Sequence, residues 1–291
     1  MKLPYLPLAL LAAASLHASP ILDITFSSPT TPEQTHSFTP IWDASPNHYH
    51  GHWLCHNSLP PHFVATPSGL GINTQHNRGK IVLNPKQPHT PSAWKKQATQ
   101  QPSTPLTLDG TSSFTLEAVI NWNNTTSSNN GIMGQIMSPQ YPSEIFLRES
   151  NGFLHYVLKS PQASVSVFHD IIDISHAKND GHFHSIALAL DSNTHQIHCY
   201  LDGKLIHTNT HPNISKLTKL HAKERPFFLG AYNSRPEYYF SGTLDRFRIS
   251  PSPLSPNELL VPDKPKQTSS SLPTRSVLLG IGGIQLSLQP E

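Results

Sequence analysis

The chain has 291 residues, a formal charge of +2 with histidine neutral, and 13% charged side chains. Its 20 Lys and Arg barely exceed its 18 Asp and Glu and form no basic stripe, which removes the electrostatic case for nucleic acid as a partner. With 28 Pro and 19 His the chain is rich in loop formers, and its net charge rises steeply as imidazoles protonate below about pH 6.5.

Lys2, the apolar run Leu6 to Leu16 and the small-residue break Ala18-Ser19-Pro20 form the pattern of a secretory signal peptide over residues 1–18. The run is shorter than the roughly 20 residues of a spanning helix, so a secreted or cell-surface protein without a transmembrane helix is expected. Pro4, Pro7 and Pro20 argue against a buried N-terminal helix. The roughly 270 residues that remain suit one large β-domain or two small ones. Leu22, Ile24 and Phe26 alternate on a first strand, and a Pro/Thr/Ser loop then leads to Trp42-Asp43-Ala44-Ser45-Pro46-Asn47-His48-Tyr49-His50-Gly51. Residues Ser68 to Leu83 are rich in Gly and Asn and end in a short strand at Lys80–Leu83. Asn84 to Pro105 carries no period and reads as an exposed insertion.

Phe114, Leu116, Ala118, Ile120 and Trp122 share one face of a strong strand. Further strands are expected near Ile132–Ile136, Ile145–Arg148, Leu154–Leu158 and Val165–His169, while Ile171–Ala177 is ambiguous. Phe183–Asp191 and Cys199–Ile206 read as a meander. Asp202-Gly203 suits a two-residue hairpin turn in which both residues take positive φ. Phe227–Gly230 and Gly242–Ile249 complete the set. Many short strands punctuated by loops predict an all-β fold, an antiparallel β-sandwich or jelly roll spanning 19–260. Residues 261–291 read as a Pro/Lys/Ser linker and a short apolar stretch, Val277–Leu288, too short to span a bilayer. Cys55 and Cys199 form either one disulfide, as an exported protein allows, or two buried apolar residues; Cys199 alternates with Ile197 and Leu201 in a core pattern.

Five segments in order resemble the laminin-G-like, concanavalin A-like jelly rolls: the opening strand; Asp43-Ala44-Ser45-Pro46-Asn47-His48-Tyr49-His50-Gly51; Phe114-Thr115-Leu116-Glu117-Ala118; the hairpins around Tyr200-Leu201-Asp202-Gly203-Lys204-Leu205; and Phe240-Ser241-Gly242-Thr243-Leu244-Asp245-Arg246-Phe247-Arg248-Ile249 with its exit Pro253-Leu254-Ser255-Pro256-Asn257-Glu258-Leu259. The chain departs from the family's wording at Pro46 and in the Pro/Gln-rich insertion. The resemblance implies a non-catalytic recognition module for carbohydrate or another extracellular surface ligand. It also groups Asp43, Asn47 and Asp245 as oxygen donors for calcium. The alternative is an Asx turn at Asp43 and Asn47 with Asp245 paired to Arg246 or another arginine; on strand parity Asp245 faces inward with Phe247 and Ile249.

No carboxylate pair at alternate strand positions of the kind a glycosidase needs, and no nucleophile motif, is visible. A glycoside hydrolase or polysaccharide lyase on the same fold, or a protein-binding adhesion component, is the alternative. Gln196-Ile197-His198 also occurs in alginate-lyase jelly rolls, but the companion motifs of those enzymes are missing here. His48, His50 and His52 share parity, yet the segment reads as lying over a turn and lacks the ordinary Cys/His zinc spacing. A sugar ligand would stack on exposed aromatics, and Tyr141, Tyr232, Tyr238 and Tyr239, in loops or at strand starts, are the expected exposed stacking residues.

Overall fold

The computed structural model describes residues 19–26, 40–41, 43–46, 49, 51–55, 59–75, 78–83, 108, 112–122, 129–135, 143–167, 172–218, 220, 227–233 and 235–262. The expected signal peptide, the insertion, the apolar tail, Tyr141, Asn47, His48, His50 and His56 lie outside them.

The described strands are β1 (Leu22–Thr25), β2 (Pro40–Ile41), β3 (Gly51–Cys55), β4 (His62–Thr66), β5 (Gly69–Asn73), β6 (Gly79–Leu83), β7 (Phe114–Asn121), β8 (Asn130–Gln135), β9 (Glu144–Ser150), β10 (Phe153–Lys159), β11 (Ser164–Val167), β12 (His184–Asp191), β13 (Gln196–Leu201), β14 (Lys204–Thr210), β15 (Phe227–Leu229) and β16 (Thr243–Ser250). They make two antiparallel sheets. Sheet A runs β14-β13-β12-β7-β16-β5-β4 with β1 also on β16, and sheet B runs β11-β10-β9-β8-β15-β6-β3-β2. The fold is a β-sandwich of the jelly-roll kind.

Alternation builds one core between the sheets. Sheet A contributes Leu116, Ala118, Ile120, Ile186, Leu188, Phe247 and Ile249, and sheet B contributes Trp53, Ile81, Ile145, Leu147, Tyr156 and Phe227. The Tyr156 hydroxyl, deep in this core, is satisfied by the Asn209 amide at 2.8 Å. Cys55 and Cys199 are buried free thiols on opposite sheets, as the core reading of Cys199 requires. At the hairpin turn Asp202 and Gly203 take φ of 50° and 73°, the geometry expected of this dipeptide.

Three expectations change. The Gly-rich segment before Lys80 forms the hairpin β4–β5, because Gly71 packs where a Cβ would lie 2.4 Å from the Leu244 carbonyl oxygen. His52 belongs to a strand, β3, and not to a turn. The ambiguous segment bridges Asp173 to Phe153 and then enters a 3-10 turn at Ser175–Ala177, with Ile172 and Ile174 buried.

The two outer faces differ. After β16 the chain crosses sheet A, where Leu254 and Leu259 cover Ala187, Ala189 and Tyr200. This exit is clamped by Glu117, which accepts from Arg248 at 2.5 Å and from the Leu260 amide at 2.7 Å. Burial raises the Glu117 pKa, against the lowering pull of Arg248. The outer face of sheet B carries different material.

Candidate functional site

Residues that alternate out of the core place Val82, Phe228, Phe146 and Val157 side by side across the outer face of sheet B. Glycines on β8 lie among them. A Cβ on Gly131 would sit 2.5 Å from the Tyr238 carbonyl oxygen and 2.7 Å from the Tyr232 nitrogen, so the missing side chain is what lets the backbone at Ala231, Tyr232 and Tyr238 lie directly on the sheet. Isolated bridges from Tyr239 to Gly131 and to Ala231 hold the segment there.

The segment brings together three of the expected tyrosines. Tyr232 stacks on Phe146 with ring centroids 4.7 Å apart and meets Tyr238 at 5.1 Å. Its hydroxyl accepts from Arg148 at 3.0 Å. Tyr239 packs with Phe228, Val82 and Ala231. The expectation that all are exposed is corrected: Tyr232 and Tyr239 are buried, and Tyr238 alone is partly open. The physical cause is the close approach over Gly131, which presses two rings into the sheet and leaves the third above them. Burial raises the pKa of Tyr232 and pushes Tyr239 up to about 12.

Two cations were not foreseen as part of this face. The Lys80 ammonium lies 4.1 Å from the Phe228 ring centroid and 4.9 Å from that of Tyr239, and it donates to the Asn233 carbonyl at 3.5 Å. The Arg148 guanidinium sits 5.7 Å from Phe146 and 5.6 Å from Tyr232. The available signal was parity: Lys80 alternates with Ile81, and Arg148 with Leu147, both of which face the core.

Of the expected calcium donors Asp43, Asn47 and Asp245, the described residues include Asp43 and Asp245. Asp43 makes an Asx turn and accepts from the amides of Asp23, Ser45 and Tyr49 and from the Ser45 hydroxyl at 2.7–2.8 Å. Amide and hydroxyl donors thus point at both oxygens. Asp245 is the extra residue of a β-bulge: β7 pairs Leu244 and Arg246 across consecutive residues and skips it. The bulge breaks its parity with Phe247, and the carboxylate accepts from the hydroxyls of Thr66 and Ser68. Burial raises its pKa. Arg246 pairs with Asp23 instead, at 2.9 Å. Among the described residues no group of three or more His, Cys, Asp or Glu could hold a metal ion.

Glu149, fully buried, accepts from Lys178 at 2.9 Å, the Gly152 amide at 2.6 Å and Asn130 at 2.5 Å. His184 lies between two carboxylates, with Nδ1 2.7 Å from Asp202 and Nε2 2.9 Å from Asp180, and its ring lies beside Trp122. Burial lowers its pKa, but the bonds and charges of Asp202 and then Asp180 outweigh this, and the net shift is upward. The folded imidazole therefore holds its proton more tightly than the unfolded one. Its stabilisation is complete below the unfolded value near 6.5 and is lost as pH rises through the folded value. Urea midpoints of the wild type should accordingly fall with rising pH relative to His184→Asn across that window. Parallel pH profiles for the two proteins would refute the assignment.

The sequence profile described as the concanavalin A-like lectin/glucanases superfamily matches residues 87–260. No curated protein matches the chain. Domain 4 of AbnA, a GH43 extracellular arabinanase from Geobacillus stearothermophilus in complex with arabinotriose, superimposes with a TM-score of 0.51 at 14% identity, covering 83% of this chain and 96% of that one. The botulinum neurotoxin serotype D binding domain gives 0.49 at 13%, covering 82% and 49%; the chain thus spans about half the length of that domain. A CBM40 of the Ruminococcus gnavus IT-sialidase, bound to alpha2,3 sialyllactose, gives 0.39 at 16%, covering 51% and 80%. At 14% identity the likeness to the arabinanase domain bears on the fold alone.

Proposed function

From the premise that the chain belongs to the concanavalin A-like lectin/glucanase superfamily, we propose that it is an exported, non-catalytic module that binds saccharide on the outer face of sheet B. The observation that carries this reading is the tyrosine segment: a partly open Tyr238 ring against Tyr232, which stacks on Phe146, with the exposed Arg235 and Glu237 in the same short segment. An aromatic platform with a few polar groups at its rim suits a sugar ring, whose apolar face stacks while its hydroxyls are oriented by hydrogen bonds. On sheet A the exit segment lies over Ala187, Ala189 and Tyr200.

Asp43, Glu117, Glu149 and Asp245 are each held by different donors in different parts of the sandwich, where they tie strands and loops together. Only Leu59, Leu205 and Val261 are exposed large apolar residues among those described, which is little surface for an adhesion interface. No helix among the described residues is long and apolar enough to cross a membrane.

A polysaccharide array on the mature chain, with calcium and again with chelator, tests the proposal. Binding that survives the chelator is expected, because the Asp43 oxygens are already occupied by protein donors. Tyr238→Ala should weaken the best array ligand about tenfold by calorimetry. An unchanged affinity in that variant would move the binding site away from this face.

A further inference from the structure

His184 opens β12 with each ring nitrogen on a different carboxylate. Nδ1 lies 2.7 Å from Asp202, in the β13–β14 turn, and Nε2 lies 2.9 Å from Asp180. A neutral imidazole carries one N–H and can donate to only one of them, so both bonds coexist only in the imidazolium. The two carboxylates are not equally anchored. Asp202 also accepts from the Ser185 amide at 2.9 Å, which ties it to β12. Asp180 accepts from the His182 amide of its own loop at 2.8 Å, which ties it to nothing else. Residues 179–182 are exposed and reach the end of β7 through two further bonds: the Asn179 amide donates to the Trp122 carbonyl at 3.1 Å, and Asn121 Nδ2 donates to the Gly181 carbonyl at 2.9 Å. The same two residues of β7 and its exit carry buried atoms with no hydrogen-bond partner among the described residues, Asn121 Oδ1 and Trp122 Nε1. Water admitted there could satisfy both, which offsets part of what opening the loop costs.

We propose that residues 179–182 form a pH-controlled cover on the end of β7, clamped while His184 carries both ring protons and released when it loses one. The charged groups that face the ring are Asp202 from the turn and Asp180 from the loop. His182 acts on Asp180, Lys178 at the loop's start is paired with Glu149, and β7 presents the uncharged Trp122 ring. When one proton leaves, Nδ1–H stays with the better-anchored Asp202. The bare Nε2 lone pair then faces the Asp180 carboxylate and repels it, and the loop keeps only its two bonds to β7. Burial lowers the His184 pKa, but the two carboxylates outweigh it and hold the ring above its ordinary 6.5. The cover is therefore closed below that ordinary value and opens as pH rises through the folded one.

The test is amide hydrogen exchange, read residue by residue by nuclear magnetic resonance on the mature chain at about pH 6 and about pH 9. Rates are compared as protection factors, so that the intrinsic pH dependence of exchange cancels. Protection of the Asn179 amide is expected to fall about tenfold or more at the higher pH, while the Ser185 amide, held by Asp202, keeps its protection. The imidazole nitrogen shifts of His184 should report two protonated nitrogens at the lower pH and Nδ1 alone at the higher. Asp180→Asn, at an exposed position, should remove most of the pH difference at Asn179, because a neutral amide is neither held by the imidazolium as a carboxylate is nor repelled by the bare nitrogen. Equal loss of protection at Asn179 and Ser185 would mean that His184 merely supports the whole corner, and it overturns the cover. Unchanged Asn179 protection across the range overturns it too, as does a full pH response in Asp180→Asn.

Discussion

Glu149→Ala is expected to lower the stability of the sandwich by about 3–5 kcal/mol, read as a reduced urea midpoint at unchanged slope. The carboxylate is fully buried and joins three elements: Asn130 of β8, the Gly152 amide in the β9–β10 turn and Lys178 just beyond the 3-10 turn. Alanine leaves a buried amide, a backbone N–H and an ammonium with 17% of its side chain exposed, all without their acceptor. Each loss alone costs about 1–3 kcal/mol. Glu149→Gln keeps the shape and one acceptor oxygen and should fall between the two. A loss below about 1 kcal/mol for alanine would mean that water replaces the carboxylate and that the network is not a structural tie.

Gly131→Ala should lift the tyrosine segment off sheet B. The new Cβ would meet backbone atoms of Tyr238, Tyr232 and Ala231 at 2.5–2.8 Å, and backbone held by the Tyr239 bridges cannot rotate aside as a side chain can. Overpacking of this kind costs about 1–3 kcal/mol. The larger effect is expected in function. Displacing the segment by a fraction of an ångström separates Tyr232 from Phe146 and from Arg148, and saccharide affinity should drop about tenfold or more. The near-ultraviolet signal of the tyrosines should change with it. Wild-type affinity and wild-type tyrosine signal in Gly131→Ala would show that the segment does not depend on this approach.

Legibility in the sequence followed the periodicity of the residues. β7, β12 and β16 were plain because Phe114 to Ile120, Ile186 to Leu190 and Phe247 to Ile249 alternate against one core, and an alternating strand has one register that buries its apolar set. The β4–β5 hairpin was not legible. It is half-exposed, and its glycines are explained by close backbone contact with β16, which no local pattern records. Asp245 was misplaced on its face for a related reason. A bulge adds one residue to a strand, and parity counted along the sequence cannot show it.

The candidate site divides the same way. Tyr232, Tyr238 and Tyr239 could be named from their position in a loop before the closing strand, but not their burial, nor that Tyr238 alone stays open. Lys80 and Arg148 lie 68 positions apart in the chain (148 − 80) and come to one face only because β15 and β8 lie between β6 and β9 in sheet B.

By itself, then, the sequence determined the all-β class, the main strands, the Asp202-Gly203 turn and the family, because each depends on residues close together or on motifs in a set order. Only the tertiary structure decided what lies over each outer face, which carboxylates are ties, and which cations rest on rings. Those properties belong to pairs of residues far apart in the chain, brought together by strand order and by the desolvation that packing imposes.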